Sequence, residues 1–160
     1  NSGCSPMSAG ILPTPTLAHA LVVNEMRFGI MVTASHNPAS DNGFKLFDHM
    51  GRKLSKDQEL AIEKQILEVS EVQFADAGLL AKSLPLLNTL SSYRCHILSM
   101  LPENALSDLR IVADLSNGAT AVTTPTILSE LGAEVITIGA GAGPITTGSE
   151  ANIRKCLLKK

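Results

Sequence analysis

The sequence predicts an α/β protein, and three observations lead to this prediction. Residues 29–32 form an uncharged apolar run that passes directly into a polar, turn-forming segment ending at Lys45. A helical pattern precedes this run without a hairpin turn between them, which is typical of α/β units. Residues 109–138 repeat the order strand, helix, strand over the length of a β-α-β unit. Because open α/β sheets place their chemistry where strands run into loops, residues 33–45 become the candidate site.

The whole-chain composition limits the class of protein. The chain has 160 residues, enough for one ordinary domain or two small ones, and a formal net charge of −2, which argues against nonspecific nucleic-acid binding. No apolar run approaches the ~20 residues of a membrane span, and the first residues lack the basic and apolar regions of a signal peptide. We therefore expect a cytoplasmic protein whose partner is neither nucleic acid nor membrane.

The cysteines and most histidines are expected to be structural or surface residues. The cysteines are odd in number, far apart and without metal-ligand spacing: Cys4, Cys95 and Cys156. We expect reduced thiols, mostly buried as small apolar side chains. Three histidines lie in different predicted elements: His19, His49 and His96. We expect them to form no ligand set with each other.

The first predicted helix spans residues 15–26, where Leu17 and Leu21 recur at helical spacing. Thr14 would cap this helix through its hydroxyl group, and Pro15 suits the first helical position. The apolar strand follows, and its composition predicts that it is buried.

The next elements are predicted from turn and cap signals. Gly51 indicates the turn of a β-hairpin, and Ser55 with Gln58 fits a capping box at a helix start. These signals and the apolar spacing predict a hairpin over 43–54, a helix over 56–69, an irregular stretch over 71–78 and a helix over 85–100.

A short, polar, proline-bearing segment over residues 102–108 is the best candidate linker, and it divides residues 1–101 from residues 109–160. Beyond it we predict a strand over 109–115, a helix ending at Gly132, a strand over 134–138, a glycine-rich loop over 139–148 and a final helix from Ser149. The glycine loop lacks the spacing of a dinucleotide-binding fingerprint, because Pro144 stands where the third glycine should begin the helix.

Ser35 is the first candidate for chemistry. It could be a turn serine that bonds its own loop, but His36 and Lys45 lie close to it in sequence. A serine hydrolase is disfavoured, because His36 is the immediate neighbour of Ser35 and the Gly-x-Ser-x-Gly elbow is missing. Imidazolium and ammonium groups beside a hydroxyl suit phosphate chemistry better.

At these residues the sequence resembles a known family. Thr-Ala-Ser-His-Asn-Pro at 33–38, followed by Asp-Asn-Gly-Phe-Lys at 41–45, is similar to the active-site serine loop of the α-D-phosphohexomutase superfamily. Residues 10–15 resemble the lead-in to that loop, and residues 109–118 resemble the start of the family's second domain. Asp-Asn-Gly at 41–43 favours the phosphoglucosamine mutase branch. The resemblance implies mixed α/β/α sheet domains, with the latter part of domain I in residues 1–101.

The resemblance also implies a mechanism and a set of roles. Ser35 would be a phosphoserine that exchanges its phosphoryl group with a hexosamine monophosphate through a bisphosphorylated sugar, and its phosphate would ligate Mg²⁺. His36 and Lys45 match positions of proton transfer and phosphate stabilisation, although Lys45 could instead be a solvated strand charge. The remaining candidates, assigned to substrate contact or loop shape, are Asn37, Asn42 and Gly43.

The sequence also departs from the family's pattern. It contains no Asp-Gly-Asp-Gly-Asp-Arg metal loop, no Gly-Glu-x-Ser-Gly-His sugar loop and no amino-terminal Phe-Gly-Thr-x-Gly-Ile-Arg segment. The other metal ligands of the family are therefore absent from this chain, and we expect the 160 residues alone to be inactive as a mutase. The alternatives are a phosphomannomutase or phosphoglucomutase, and a noncatalytic remnant that binds sugar phosphate.

Overall fold

The computed structural model describes residues 4–34, 37, 40–69 and 83–141. Helices and strands are interspersed along the chain, as the predicted α/β class requires. The α-helices are α1 (Thr14–Val23), α2 (Lys56–Glu68), α3 (Thr89–Ser99) and α4 (Thr124–Glu130). The strands are β1 (Met7–Ser8), β2 (Phe28–Val32), β3 (Phe44–Asp48), β4 (Leu84–Pro85), β5 (Arg110–Asp114) and β6 (Glu134–Ile138).

Helix α1 begins one residue earlier than predicted and ends earlier. Pro13, not Thr14, occupies the cap position: its backbone is extended, and its carbonyl accepts the N–H groups of Thr16 and Leu17 at 3.0 and 3.3 Å. The predicted hydroxyl cap by Thr14 is therefore wrong. At the other end Glu25 adopts φ +50°, which stops the helix before residue 26.

Strands β2 and β3 pair antiparallel on either side of the candidate site. Their register places Val32 opposite Phe44 and Gly29 opposite Phe47. The sequence predicted a hairpin after residue 43, and Phe47 does bridge to Lys53. The longer pairing of β2 with β3 was not predicted, because the polar loop between them is too long to carry a tight-turn signal.

One face of the β2–β3 pair packs under α1. The core of this region consists of Leu12, Leu17, Leu21 and Phe47. Gly29 permits the close approach of helix to strand, because a Cβ at this position would lie 2.6 Å from Leu21 Cδ1.

The opposite face of the β2–β3 pair is exposed. Ile30, Val32 and Phe44 retain 54%, 63% and 69% of their accessible surface. These residues alternate with the residues that face α1, so they lie on the other side of the sheet. The prediction of a buried strand is therefore wrong for this face, because composition indicates an apolar strand but not whether a second layer covers it.

Helix α2 has the predicted capping box. Ser55 Oγ accepts the Gln58 N–H at 3.3 Å, and Gln58 Oε1 accepts the Ser55 N–H at 2.9 Å. The helix then runs to Glu68, close to the predicted end. None of its residues is buried, and Leu60 and Ile66 of the predicted apolar face are exposed to solvent.

Helix α3 begins four residues later than predicted. Leu84 and Pro85 instead pair in parallel with Met7 and Ser8 of β1. Asn88 then adopts φ +60°, a left-handed conformation that a helix interior does not allow. The helix therefore starts at the next residue.

Strands β5 and β6 and helix α4 form the predicted β-α-β unit. The strands pair in parallel, with Arg110 opposite Glu134 and Asp114 opposite Ile138. Gly132 ends the helix with φ +95°, as its position in the sequence indicated.

The candidate linker is hydrogen-bonded to the β-α-β unit. The Leu106 N–H donates to the Leu131 carbonyl at 2.9 Å, and Arg94 of α3 forms an ion pair with Glu130 of α4 at 3.0 Å. The domain boundary at residues 102–108 stays a prediction, but these contacts join the segments before and after it.

Several predictions fall outside the described residues: the irregular stretch 71–78, the glycine-rich loop beyond Gly141, the helix from Ser149, and Cys156. The described cysteines, Cys4 and Cys95, are exposed, so their predicted burial is wrong. Neither lies on a helix face or strand that packs into the core. Among the helices of the described residues, none has the length and apolar character needed to cross a membrane.

Candidate active-site loop

The loop between β2 and β3, residues 33–43, contains most of the predicted site. Ser35 and His36 lie outside the described residues, as do Pro38 and Ala39. The two strands hold both ends of this loop, so its position follows from the antiparallel pairing that sequence patterning missed.

The base of the loop is closed by backbone contact. The Thr33 N–H donates to the Gly43 carbonyl at 2.8 Å, which continues the β2–β3 ladder by one pair. A Cβ on Gly43 would lie 2.8 Å from the Thr33 carbonyl oxygen, closer than real Cβ contacts allow. Gly43, predicted as a loop residue, is therefore required by the close approach of two backbones.

Asn37 and Asp41 join the two halves of the loop. The Asn37 N–H donates to the Ala34 carbonyl at 3.1 Å, and its side-chain Nδ2 donates to Asp41 Oδ2 at 3.2 Å. Ser40 Oγ donates to the other carboxylate oxygen, Oδ1, at 3.3 Å. Asp41 was not among the predicted site residues, because turn composition indicates a polar loop but not which of its side chains bond to each other.

Lys45 lies on β3 directly opposite Met31, two pairs from the closed base of the loop. It is partly buried and shares the α1 side of the sheet with Phe47. Within the described part of the chain its ammonium group has no ion-pair partner. A partly buried cation without a carboxylate partner is suited to an anion such as phosphate. Asn42 is exposed, and its predicted role is not tested by a contact.

The described residues do not form a Mg²⁺ cage. No group of three or more His, Cys, Asp or Glu side chains among them could hold a metal ion. Asp41 is the acidic residue of the loop, and both of its oxygens already accept hydrogen bonds. Mg²⁺ needs several oxygen ligands in octahedral geometry, so the described residues by themselves do not fit this ion.

A second polar cluster lies between α1 and α3. His19 Nε2 is 3.0 Å from Ser92 Oγ, and its ring stacks on His96 with centroids 4.7 Å apart. A cavity of about 210 Å³ adjoins His19 and Ser92. Burial, and secondly the charge of His96, lower the pKa of His19. The sequence did not predict the contacts of His19 with Ser92 and His96, because helix packing brings together residues that are far apart in the chain.

The comparisons with known proteins agree with the fold and with the loop. Residues 1–73 match the family model described as phosphoglucomutase/phosphomannomutase, alpha/beta/alpha domain I. A phosphoglucosamine mutase of Novosphingobium aromaticivorans is 45% identical over 130 residues, which are 79% of this chain and 29% of that protein. One from Paenarthrobacter aurescens is 39% identical over 141 residues, which are 88% of this chain and 30% of that protein.

A solved structure shares the fold. The crystal structure of a phosphoglucomutase/phosphomannomutase family protein from Burkholderia thailandensis superposes with a TM-score of 0.69 at 22% sequence identity. The match covers 89% of this chain and 31% of that chain. The chain therefore spans less than a third of the length of the relatives it matches.

Proposed function

We propose that the chain is part of a phosphohexose mutase and carries its phosphoryl-transfer loop, because residues 1–73 match the phosphoglucomutase/phosphomannomutase family model and 130 residues are 45% identical to a phosphoglucosamine mutase. The observation that carries this proposal is the loop between β2 and β3. Backbone contact of Thr33 with Gly43 closes its base, and Lys45 lies two strand pairs from that base with no carboxylate partner among the described residues. A rigid base and a nearby cation are what a phosphorylated side chain needs.

The proposed reaction is an exchange of one phosphoryl group. The phosphate on Ser35 passes to the free hydroxyl of a hexose monophosphate: the bond from phosphorus to Ser35 Oγ breaks, and a bond to the sugar oxygen forms. His36 would take the proton of the sugar hydroxyl and pass it to the departing Ser35 Oγ, and the ammonium group of Lys45 would offset charge on the transferred group. The bisphosphorylated sugar then returns its other phosphate to Ser35, the proton moves back from Ser35 Oγ to the sugar oxygen that is released, and the protein is regenerated.

The proposed substrate is a glucosamine phosphate. The relatives cited above bear the name phosphoglucosamine mutase, and 45% identity over 130 residues supports the same sugar. Mannose or glucose phosphate is the alternative within the enzyme class, since the family model bears both of those names. Such substrates are consistent with the cytoplasmic location expected from the sequence.

We propose that the complete enzyme depends on Mg²⁺, whose charge would stabilise the transferred phosphate. Within this chain the phosphate of Ser35 is the proposed ligand, because the sequence contains no Asp-Gly-Asp-Gly-Asp-Arg loop. We therefore expect no turnover from the 160 residues alone. Formation of sugar 1-phosphate by this chain in a coupled assay would contradict that expectation.

Phosphorylation of Ser35 tests the proposal directly. The purified chain is incubated with a hexose 1,6-bisphosphate, and its intact mass is recorded. We expect one phosphate adduct that Ser35→Ala abolishes and that the matched control Ser91→Ala, an exposed serine on α3, retains. A chain that is never phosphorylated would refute the proposal and favour the noncatalytic remnant.

A further inference from the structure

We infer that Asn42 is a site of spontaneous deamidation, and that this covalent change opens the base of the candidate active-site loop. Asn42 directly precedes Gly43, whose backbone contact with Thr33 closes that base. An asparagine followed by glycine loses its amide more readily than one followed by a larger residue, because glycine has no side chain to shield its backbone nitrogen and its backbone moves freely. The structure then decides whether a particular Asn-Gly pair reacts.

The reaction uses water as its co-reactant and releases ammonia. The backbone nitrogen of Gly43 attacks the side-chain carbon Cγ of Asn42. A bond from this nitrogen to Cγ forms, the bond from Cγ to the amide nitrogen breaks, and the Gly43 N–H proton leaves with that amide nitrogen as ammonia. Water then opens the succinimide ring. Cleavage at Cγ gives aspartate, and cleavage at the backbone carbonyl carbon of residue 42 gives isoaspartate, in which the main chain runs through Cγ.

The groups that react at Asn42 are accessible and are not restrained by hydrogen bonds. The Asn42 side chain is exposed, and the residue lies outside the helices and strands. Among the described residues, none forms a hydrogen bond with the Asn42 side chain or with the Gly43 N–H, although the Gly43 carbonyl accepts one from Thr33. The attacking nitrogen can therefore approach the side-chain carbon without first breaking a bond to the described part of the fold.

The other of the two Asn-Gly pairs in the sequence, Asn117-Gly118, is restrained at both reacting groups. The Gly118 N–H donates to the Leu115 carbonyl at 2.7 Å, which holds the nitrogen that would attack. The side-chain oxygen of Asn117 accepts the Gly141 N–H at 3.1 Å, which holds the group that would be attacked. Each bond must open before a ring can form, and each opening costs a factor of about five in rate. We therefore expect Asn117 to react slowly.

The consequence for the loop depends on the product. Isoaspartate adds one carbon atom to the main chain directly before Gly43. This displaces the Gly43 carbonyl from the Thr33 N–H, whose hydrogen bond it accepts at 2.8 Å. Aspartate leaves the main chain unchanged and places a second carboxylate beside Asp41. Either product would oppose a phosphate in this loop by charge repulsion; this last effect rests on the proposed function, and the deamidation itself does not.

The test follows the conversion of Asn42 and Asn117 to the acid while the 160-residue chain is incubated at pH 8, with tryptic digestion and tandem mass spectrometry. The same measurement in guanidinium chloride removes the hydrogen bonds of both pairs. We expect Asn42 to react at least about tenfold faster than Asn117 in the folded chain, and within about twofold of it in the unfolded chain. Asn42→Gln is the matched control and should abolish conversion at position 42 on this timescale, because its longer side chain forms a ring far more slowly.

Hydrogen exchange of the Thr33 amide measures the opening of the base. It is compared in the unmodified chain, in the chromatographic fraction that carries isoaspartate and in the Asn42→Asp variant. We expect the Thr33 amide to exchange at least about fivefold faster in the isoaspartate fraction. In Asn42→Asp it should keep its protection, because this variant has the added charge but a main chain of normal length.

Two sets of results would overturn the inference. No conversion of Asn42 in the folded chain, or rates at Asn42 and Asn117 that are equal there, would overturn the assignment of the deamidation site. If Asn42 reacts but the Thr33 amide keeps its protection in the isoaspartate fraction, the opening of the base is wrong. Neither result bears on the phosphorylation of Ser35, whose failure would refute the proposed function alone.

Discussion

Gly43→Ala is the substitution that most directly tests the base of the loop. The new Cβ would lie 2.8 Å from the Thr33 carbonyl oxygen, and ordinary contact begins at 3.4 Å. The backbones of β2 and β3 must therefore separate by about 0.6 Å at this pair. Neither atom belongs to a flexible side chain that could move away.

The separation has a cost that can be bounded. The Thr33 N–H to Gly43 carbonyl bond, now 2.8 Å, would lengthen beyond the ordinary limit of about 3.2 Å. Inserting a methyl group into a filled space costs roughly 1–3 kcal/mol, while replacing glycine by alanine lowers the entropy of the unfolded chain by about 0.4–1 kcal/mol. We expect a net loss of about 1–2 kcal/mol in the free energy of unfolding.

Urea unfolding followed by circular dichroism measures this loss, and hydrogen exchange of the Thr33 amide locates it. Gly141→Ala is the matched control, since its added Cβ meets Asn117 Oδ1 at an ordinary 3.5 Å. If Gly43→Ala and Gly141→Ala unfold at the same urea concentration, and the Thr33 amide keeps its protection, then the close approach does not constrain the loop.

Two further predictions concern the helices. The lowered pKa of His19 means that the folded state favours the neutral imidazole. The stability that depends on a neutral His19 is therefore present above pH 6.5 and is lost as the pH falls below that value. Between pH 7.5 and pH 5.5 the thermal unfolding midpoint should drop more in the unmodified chain than in His19→Gln. Equal drops in the two proteins would contradict this prediction. Ser55→Ala should lower the free energy of unfolding by about 1 kcal/mol through loss of the capping box, and an unchanged urea midpoint would argue against that role.

Features that depend on near neighbours were predicted well from the sequence. The capping box of Ser55 and Gln58, the end of α4 at Gly132 and the order strand, helix, strand over residues 109–138 are all confirmed. Each depends on side chains within a few positions of the backbone groups they satisfy. The roles of the site residues stay a prediction; the contiguous loop motif that suggests them lies within residues 1–73, which match the family model.

Features that depend on distant partners were predicted poorly. Val32 was expected in a buried strand and Cys95 as a buried thiol, but both are exposed. Apolar composition shows that a surface can be buried, and only the position of other elements shows whether it is. The late start of α3 has a similar cause, because pairing of Leu84 with Met7 competes with the helix.

By itself, then, the sequence determined the α/β class, most of the local elements and the polar segment that contains Ser35, His36 and Lys45. Only the tertiary structure decided that β2 pairs with β3 around this loop, that Gly43 meets Thr33, and that Asp41 connects the two halves. The physical reason is the range of the forces involved. Caps and turns are satisfied within a few residues, whereas strand pairing and side-chain cross-links depend on which distant segments the fold brings into contact.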